Sequence, residues 1–191
     1  FSTPNPPVGA VFSYYLKEDI KTLKQKREAA EKSKYEKKQK VYYPSMDTLR
    51  MEDQQAEPYL LFTVKDDGGQ VVRHLKAPAK KGLQRIVWDY RYGTPAPVNQ
   101  RRTLAPDQLF GGVEEGHLAL PGKYSVSLSK FDDGILTELV APVSFSFKLL
   151  EQGSIPTDMN NNVQFYKQVT EIRLAVTAAN DLVNNMDQRI K

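Results

Sequence analysis

Tyr124, Val126 and Leu128 are separated by Ser125, Ser127 and Ser129, and a similar two-residue rhythm recurs along most of the chain. A strand turns successive side chains to opposite sides, so alternation of this kind specifies one buried and one wet face. Seven stretches carry it. Val8, Ala10, Phe12, Tyr14 and Leu16 line the first, after the stiff Asn5-Pro6-Pro7; Leu60, Phe62 and Val64 line the second. In the third, Val71, Arg73 and Leu75 alternate less cleanly with Val72 and His74. Ile86, Trp88, Tyr90 and Tyr92 share one face of the fourth, with Arg85, Val87, Asp89 and Arg91 on the other. The serine-spaced stretch is the fifth, residues 135–140 are the sixth, and Val143, Phe145, Phe147 and Leu149 line the seventh. Asp66-Asp67-Gly68-Gly69 and Asp132-Asp133-Gly134 lie between strands, where glycine supplies the positive φ of hairpin turns. Short strands at this spacing predict a mainly β chain built on an antiparallel β-sandwich of about seven strands.

Two stretches break the rhythm. Residues 17–58 form a helical insertion after strand one: a Lys/Glu-rich helix to about residue 40, then Tyr42-Tyr43-Pro44, then a short helix capped by Ser45. Ile20, Leu23 and Ala30 are the apolar positions of the first helix, so its far end is expected to be solvated and held by i,i+4 charge pairs. Toward the end of the chain, Phe165, Val169, Ile172, Val176, Ala179, Val183, Met186 and Ile190 are spaced by 4, 3, 4, 3, 4, 3 and 4 residues. This is a heptad seam. At about 1.5 Å per residue a helix over 157–191 exceeds roughly 40 Å, longer than one sandwich covers. The seam therefore calls for a partner: the basic helix, a second copy, or helical sequence outside this stretch. The domain organisation expected is a sandwich over 1–150 carrying the insertion, followed by a linker and long amphipathic helix over 151–191.

Composition narrows the chemistry. There is no cysteine, which removes disulfides and thiolate metal sites. No apolar run approaches the roughly 18 to 20 residues of a membrane-spanning helix. The net charge of +4 resides in one place: residues 17–40 hold ten Lys/Arg against five acids, so the rest of the chain, with 17 basic and 18 acidic residues, carries −1. Interleaved Glu18, Asp19, Glu28, Glu31 and Glu36 favour a solvated helix over a nucleic-acid footprint. A start at Phe1 rather than Met suggests a piece of a longer polypeptide, with any targeting signal upstream.

Catalytic constellations are sparse. Only His74 and His117 offer imidazoles, one in a strand and one in the long Pro-, Gly- and Arg-rich connection 93–121, and no Gly-x-Ser-x-Gly elbow accompanies them. The paired acids at 66–67 and 132–133 each precede glycine between two strands and are read as turns rather than glycosidase carboxylates or calcium ligands. No phosphate-binding glycine loop opens a helix. No cofactor, metal site or catalytic residue is expected. Tyr14, Tyr15, Tyr42, Tyr43, Trp88, Tyr90 and Tyr92 supply rings that glycans stack on, yet most fall at strand positions that a core claims. Tyr42, Tyr43 and Tyr92 remain as candidate contacts for glycan or protein, with Arg101 and Arg102 in the long connection, where functional loops concentrate.

Three stretches together carry a resemblance: NPPVGAVFSYYLKEDI, EPYLLFTVKDDGGQVVRHLKAPAKKGLQRIVWDYRY and LPGKYSVSLSK. In that order they resemble the C-terminal region of bacterial secreted sortilin-like or BNR-repeat glycosyl-hydrolase-type β-propeller proteins. The spacing from Gly82 to Trp88-Asp89, with Pro121-Gly122 and Tyr124, is similar to the Ig-like domain of flagellar hook-capping proteins. The resemblance implies an Ig-like sandwich behind an upstream propeller of Asp-box repeats, exported to the periplasm, outer membrane or medium of a bacterium. It also implies that hydrolytic or ligand-binding activity belongs to the propeller, and that the terminal helix continues into further helical sequence. The function expected is a non-catalytic accessory module that packs on or extends the propeller. The alternatives are a carbohydrate-binding module and an oligomerisation domain built on the heptad helix.

Overall fold

A computed structural model describes residues 8–93, 116–148 and 159–190. In chain order the elements are β1 (Ala10–Leu16), α1 (Leu23–Glu36), α2 (Met46–Gln54), β2 (Tyr59–Asp66), β3 (Val71–Pro78), β4 (Gly82–Trp88), β5 (Gly122–Asp132), β6 (Ile135–Phe147) and α3 (Met159–Ile190). Helices take in about as many residues as strands, so the class is mixed rather than mainly β, chiefly because α3 alone runs for 32 residues. Arg101, Arg102, Leu149 and the side chain of Ile190 lie outside the described residues.

The residues divide into two compact units, one up to Trp88 with Tyr124–Phe145, the other Asp89–Lys123 with Ser146–Lys191. In the first, β1 and β4 form a two-stranded sheet, and β3-β2-β5-β6 form a four-stranded one. The pairings β1–β4, β2–β3 and β2–β5 are antiparallel. Register places Phe62 between Leu75 and Leu128, and Leu60 between Ala77 and Lys130, so the alternating apolar residues of three strands share one face. Leu60 and Val64 are fully buried and Phe62 nearly so. Against this face stand Phe12, Tyr14, Leu16 and Ile86 of the smaller sheet. The Phe12 ring stacks on Phe62 at 6.3 Å and meets Phe145 edge-on at 5.3 Å, while Tyr14 tilts on Phe62 at 5.1 Å. Burial pushes the Tyr14 hydroxyl above its ordinary pKa.

Strand details depart from the alternation in three places. Between Val64 and Lys65 the pairing shifts, so that Val64 opposes Arg73 and Lys65 opposes Val71, leaving Val72 as the extra residue of a bulge. That places Val72 in the core, 3% exposed, and accounts for the uneven pattern of the third stretch. The sixth and seventh stretches are one 13-residue strand, giving six strands among the described residues where about seven were expected. Pro142 does not interrupt it, because β6 lies at the sheet edge, where an absent N–H need not break a ladder. The fourth strand ends at Trp88: Tyr90 has φ of +58°, and the reversal removes Tyr90 and Tyr92 from the strand face they were assigned.

The insertion forms as two capped helices. Thr22 and Gln25 make a capping box on α1, and Ser45 accepts from the Thr48 amide at 3.2 Å on α2. α1 ends at Glu36, four residues short of the expected end. The two helices are clamped by Arg27, whose Nε and Nη2 donate to Glu52 at 2.7 and 2.8 Å while Nη1 donates to Glu31 at 2.9 Å. These hydrogen bonds hold the Glu52 carboxyl below its ordinary pKa. A carboxylate with a depressed folded pKa contributes stability that is present above its unfolded value, 4.5, and is lost as pH falls through the folded one. The α1–α2 pair is therefore expected to hold at neutral pH and to loosen as the pH falls below 4.5 toward the lowered folded value, seen as smaller amide protection factors in α1 and α2. Glu52→Gln removes most of that pH dependence.

Candidate interaction surface

The candidate surface belongs to the second unit and is built from α3. Near its start Val163 is buried, and Lys167, Thr170 and Leu174 are half-buried along the same side of the helix. This side meets a short antiparallel pairing of residues 90–92 with 117–119: Tyr92 N donates to His117 O at 2.9 Å, Ala119 N to Tyr90 O at 2.7 Å, and Arg91 bridges Leu118. The Tyr92 ring stacks on His117 at 4.2 Å, His117 on Tyr166 at 5.9 Å, and Lys167 Nζ lies 5.4 Å above Tyr92. Gly116 is required here because a Cβ would collide with the Tyr92 and Gly93 carbonyl oxygens, while the Gly116 carbonyl accepts from Arg91 Nη1 at 3.1 Å. Burial, and then the nearby Lys167 ammonium, push the His117 imidazole below its ordinary pKa. Its Nε2 is buried without a hydrogen-bond partner among the described residues.

The heptad residues lie on the other side of α3. Phe165, Ile172, Val176, Val183 and Met186 are between 54% and 64% exposed, Ala179 is exposed and Val169 half-buried. Among the described residues nothing covers this seam. So regular an apolar stripe left in water makes α3 the candidate contact surface.

No protein-family model, curated protein or solved structure matches the chain.

The remaining site expectations separate. Tyr42 and Tyr43 are 79% and 85% exposed in the segment between α1 and α2, whereas Tyr92 is half-buried in the histidine stack. Trp88 is fully buried, packed on Tyr124 at 5.1 Å and Phe145 at 6.0 Å. His74 is exposed and shares a 3.2 Å contact with Thr63 Oγ1. The Asp66 carboxylate accepts from the Gln70 amide at 2.8 Å, closing the β2–β3 turn, and Asp133 and Gly134 take φ of +51° and +78° in the β5–β6 hairpin. Both acidic pairs thus serve turns. Among the described residues no group of three or more His, Asp or Glu is gathered to hold a metal, and no helix is long and apolar enough to cross a membrane. A cleft of about 760 Å³ in the first unit is lined by Asp19, Thr22, Glu57, Tyr59, Lys76 and Lys80 among others. Neither histidine lines it; Asp19 accepts from the Lys81 amide at 2.7 Å, and Lys76 Nζ sits 4.1 Å over the Tyr59 ring.

The histidine stack escaped sequence reasoning because His117 and Tyr166 are far apart in the chain. The heptad spacing of the seam did not, because its signal is periodic.

Proposed function

We propose that this chain is a non-catalytic interaction module: an Ig-like sandwich serving as scaffold, with α3 presenting the contact surface, as the C-terminal accessory region of a larger exported β-propeller protein. The observation that carries the interaction role is the exposed heptad seam on α3. The propeller, the export and the bacterial setting rest on the resemblance of the three quoted stretches. The parent reading frame upstream of Phe1 tests them. An export signal followed by Asp-box repeats supports the reading; a start codon just before Phe1 with neither overturns it.

Adjacent exposed rings at Tyr42 and Tyr43 favour glycan binding as a second reading. It requires retention of the chain on immobilised polysaccharide, abolished by Tyr42→Ser with Tyr43→Ser. Free passage of the unsubstituted chain through a panel of such gels ends that reading.

A further inference from the structure

We infer that the occupant of the α3 seam is a second copy of this chain, paired with the first as a parallel, in-register two-stranded coiled coil. The inference rests on reading α3 as the contact surface and adds the partner and its orientation.

The placement of the seam comes first. At about 100° per residue, Val163, Lys167, Thr170 and Leu174 lie on one meridian of α3, and the heptad residues lie about 180° from it. The side that packs within the unit and the side left in water are therefore opposite, so a partner helix can reach the full seam without displacing the Tyr92–His117–Tyr166 stack.

Side-chain shape then selects the partner. The spacing sets Phe165, Ile172, Ala179 and Met186 at the d positions and Val169, Val176, Val183 and Ile190 at the a positions. Every a residue is β-branched, which favours parallel two-stranded coiled coils, whose a layers pair like with like; the d layers of Phe, Ile, Ala and Met lack the leucine usual there. The flanking positions do not oppose it. In a parallel pair each g residue meets the e′ residue five places on, giving Gln168 with Arg173, Ala175 with Asn180, and Leu182 with Asp187. None of these pairs sets like charges against each other, and Leu182, 62% exposed in the single chain, gains cover beside the seam.

Size sets the expected strength. The seam is roughly 40 Å long and about 10 Å wide on each copy, so the pair buries on the order of 800 Å² in total, below the roughly 1,200 Å² at which stable specific interfaces begin and in the range of weak, transient ones. The association is accordingly reversible and concentration-dependent.

Because the chain has no cysteine, single introduced thiols report on the pairing without background. V169C, V176C and V183C are each oxidised with copper phenanthroline across a range of protein concentrations, beside N185C on the outer side of the helix. The inference expects covalent dimers from all three a-position variants and little from N185C. It also expects Val176→Glu with Val183→Glu, which set carboxylates against each other across two layers, to raise the dimer dissociation constant about a hundredfold or more with the helicity of the chain retained. A chain that stays monomeric in sedimentation, or cross-links only when V169C is mixed with M186C as an antiparallel pair requires, overturns it. Alkylation of V176C by N-ethylmaleimide separates the two levels of the argument. A thiol that is reactive in the monomeric chain but shielded in the longer parent polypeptide removes the second copy and leaves α3 a contact surface; a thiol reactive in both removes both.

Discussion

Replacing Trp88 with Ala is expected to destabilise the first unit by about 3–5 kcal/mol, the range for deleting a large buried aromatic side chain. Trp88 has no exposed surface and is the last residue of β4, where it meets Tyr124 of β5 and Phe145 of β6. Its removal strips contacts from both sheets and leaves a cavity whose walls belong to three strands, so collapse around it is restricted. Domains of this size unfold with roughly 5–15 kcal/mol, so the variant would be marginal at best. Urea unfolding followed by far-UV circular dichroism measures the loss. Leu83→Ala on the same strand, where the side chain is 69% exposed, should change stability by less than about 0.5 kcal/mol. Equal effects at the two positions would mean that β4 does not face the core as described.

The second large effect is expected at Gly9, immediately before β1. Its φ of +147° lies where side chains rarely go, and a Cβ there would collide with the Trp88 carbonyl oxygen and come within 2.6 Å of Val87 Cγ1. The close approach exists because Ala10 pairs with Trp88 in the β1–β4 register, so the backbone before Ala10 runs directly against the end of β4. Gly9→Ala adds both backbone strain and a steric clash, each typically worth about 1–3 kcal/mol. A combined loss of about 2–6 kcal/mol in urea unfolding is the expected result. Gly69→Ala, where φ is also positive but the space is open, should show only the strain component.

The legible part of the fold was what depends on side-chain periodicity. Alternation assigned Phe12, Leu60, Phe62, Tyr124 and Trp88 to the inside, and each is buried or half-buried there. It could not see where a strand stops while the pattern continues. Trp88, Tyr90 and Tyr92 keep the two-residue spacing through a left-handed residue at Tyr90 that ends the strand face. Nor could it show that the sixth and seventh stretches run on as one strand through Pro142, because the cost of a proline depends on whether the strand is central or at an edge, and strand order is a tertiary property. The Arg27–Glu52 clamp and the His117–Tyr166 stack were equally hidden, since contacts between residues far apart in the chain leave no local periodic trace. The seam on α3 was legible as a pattern. Its exposure could be established only by seeing what else in the chain comes near it.

The central claim is that Trp88 and the strand rings around it, Phe12, Phe62, Tyr124 and Phe145, are committed to packing between two sheets, leaving recognition to α3. Collisional quenching tests this most directly, since Trp88 is the only tryptophan and its fluorescence reports on a single site. The indole is expected to resist iodide in the folded chain, to become accessible only on unfolding in urea, and to show no change in emission when oligosaccharides are added. Iodide quenching of the folded chain, or a spectral shift on adding a glycan, would place Trp88 at a ligand surface and contradict the account.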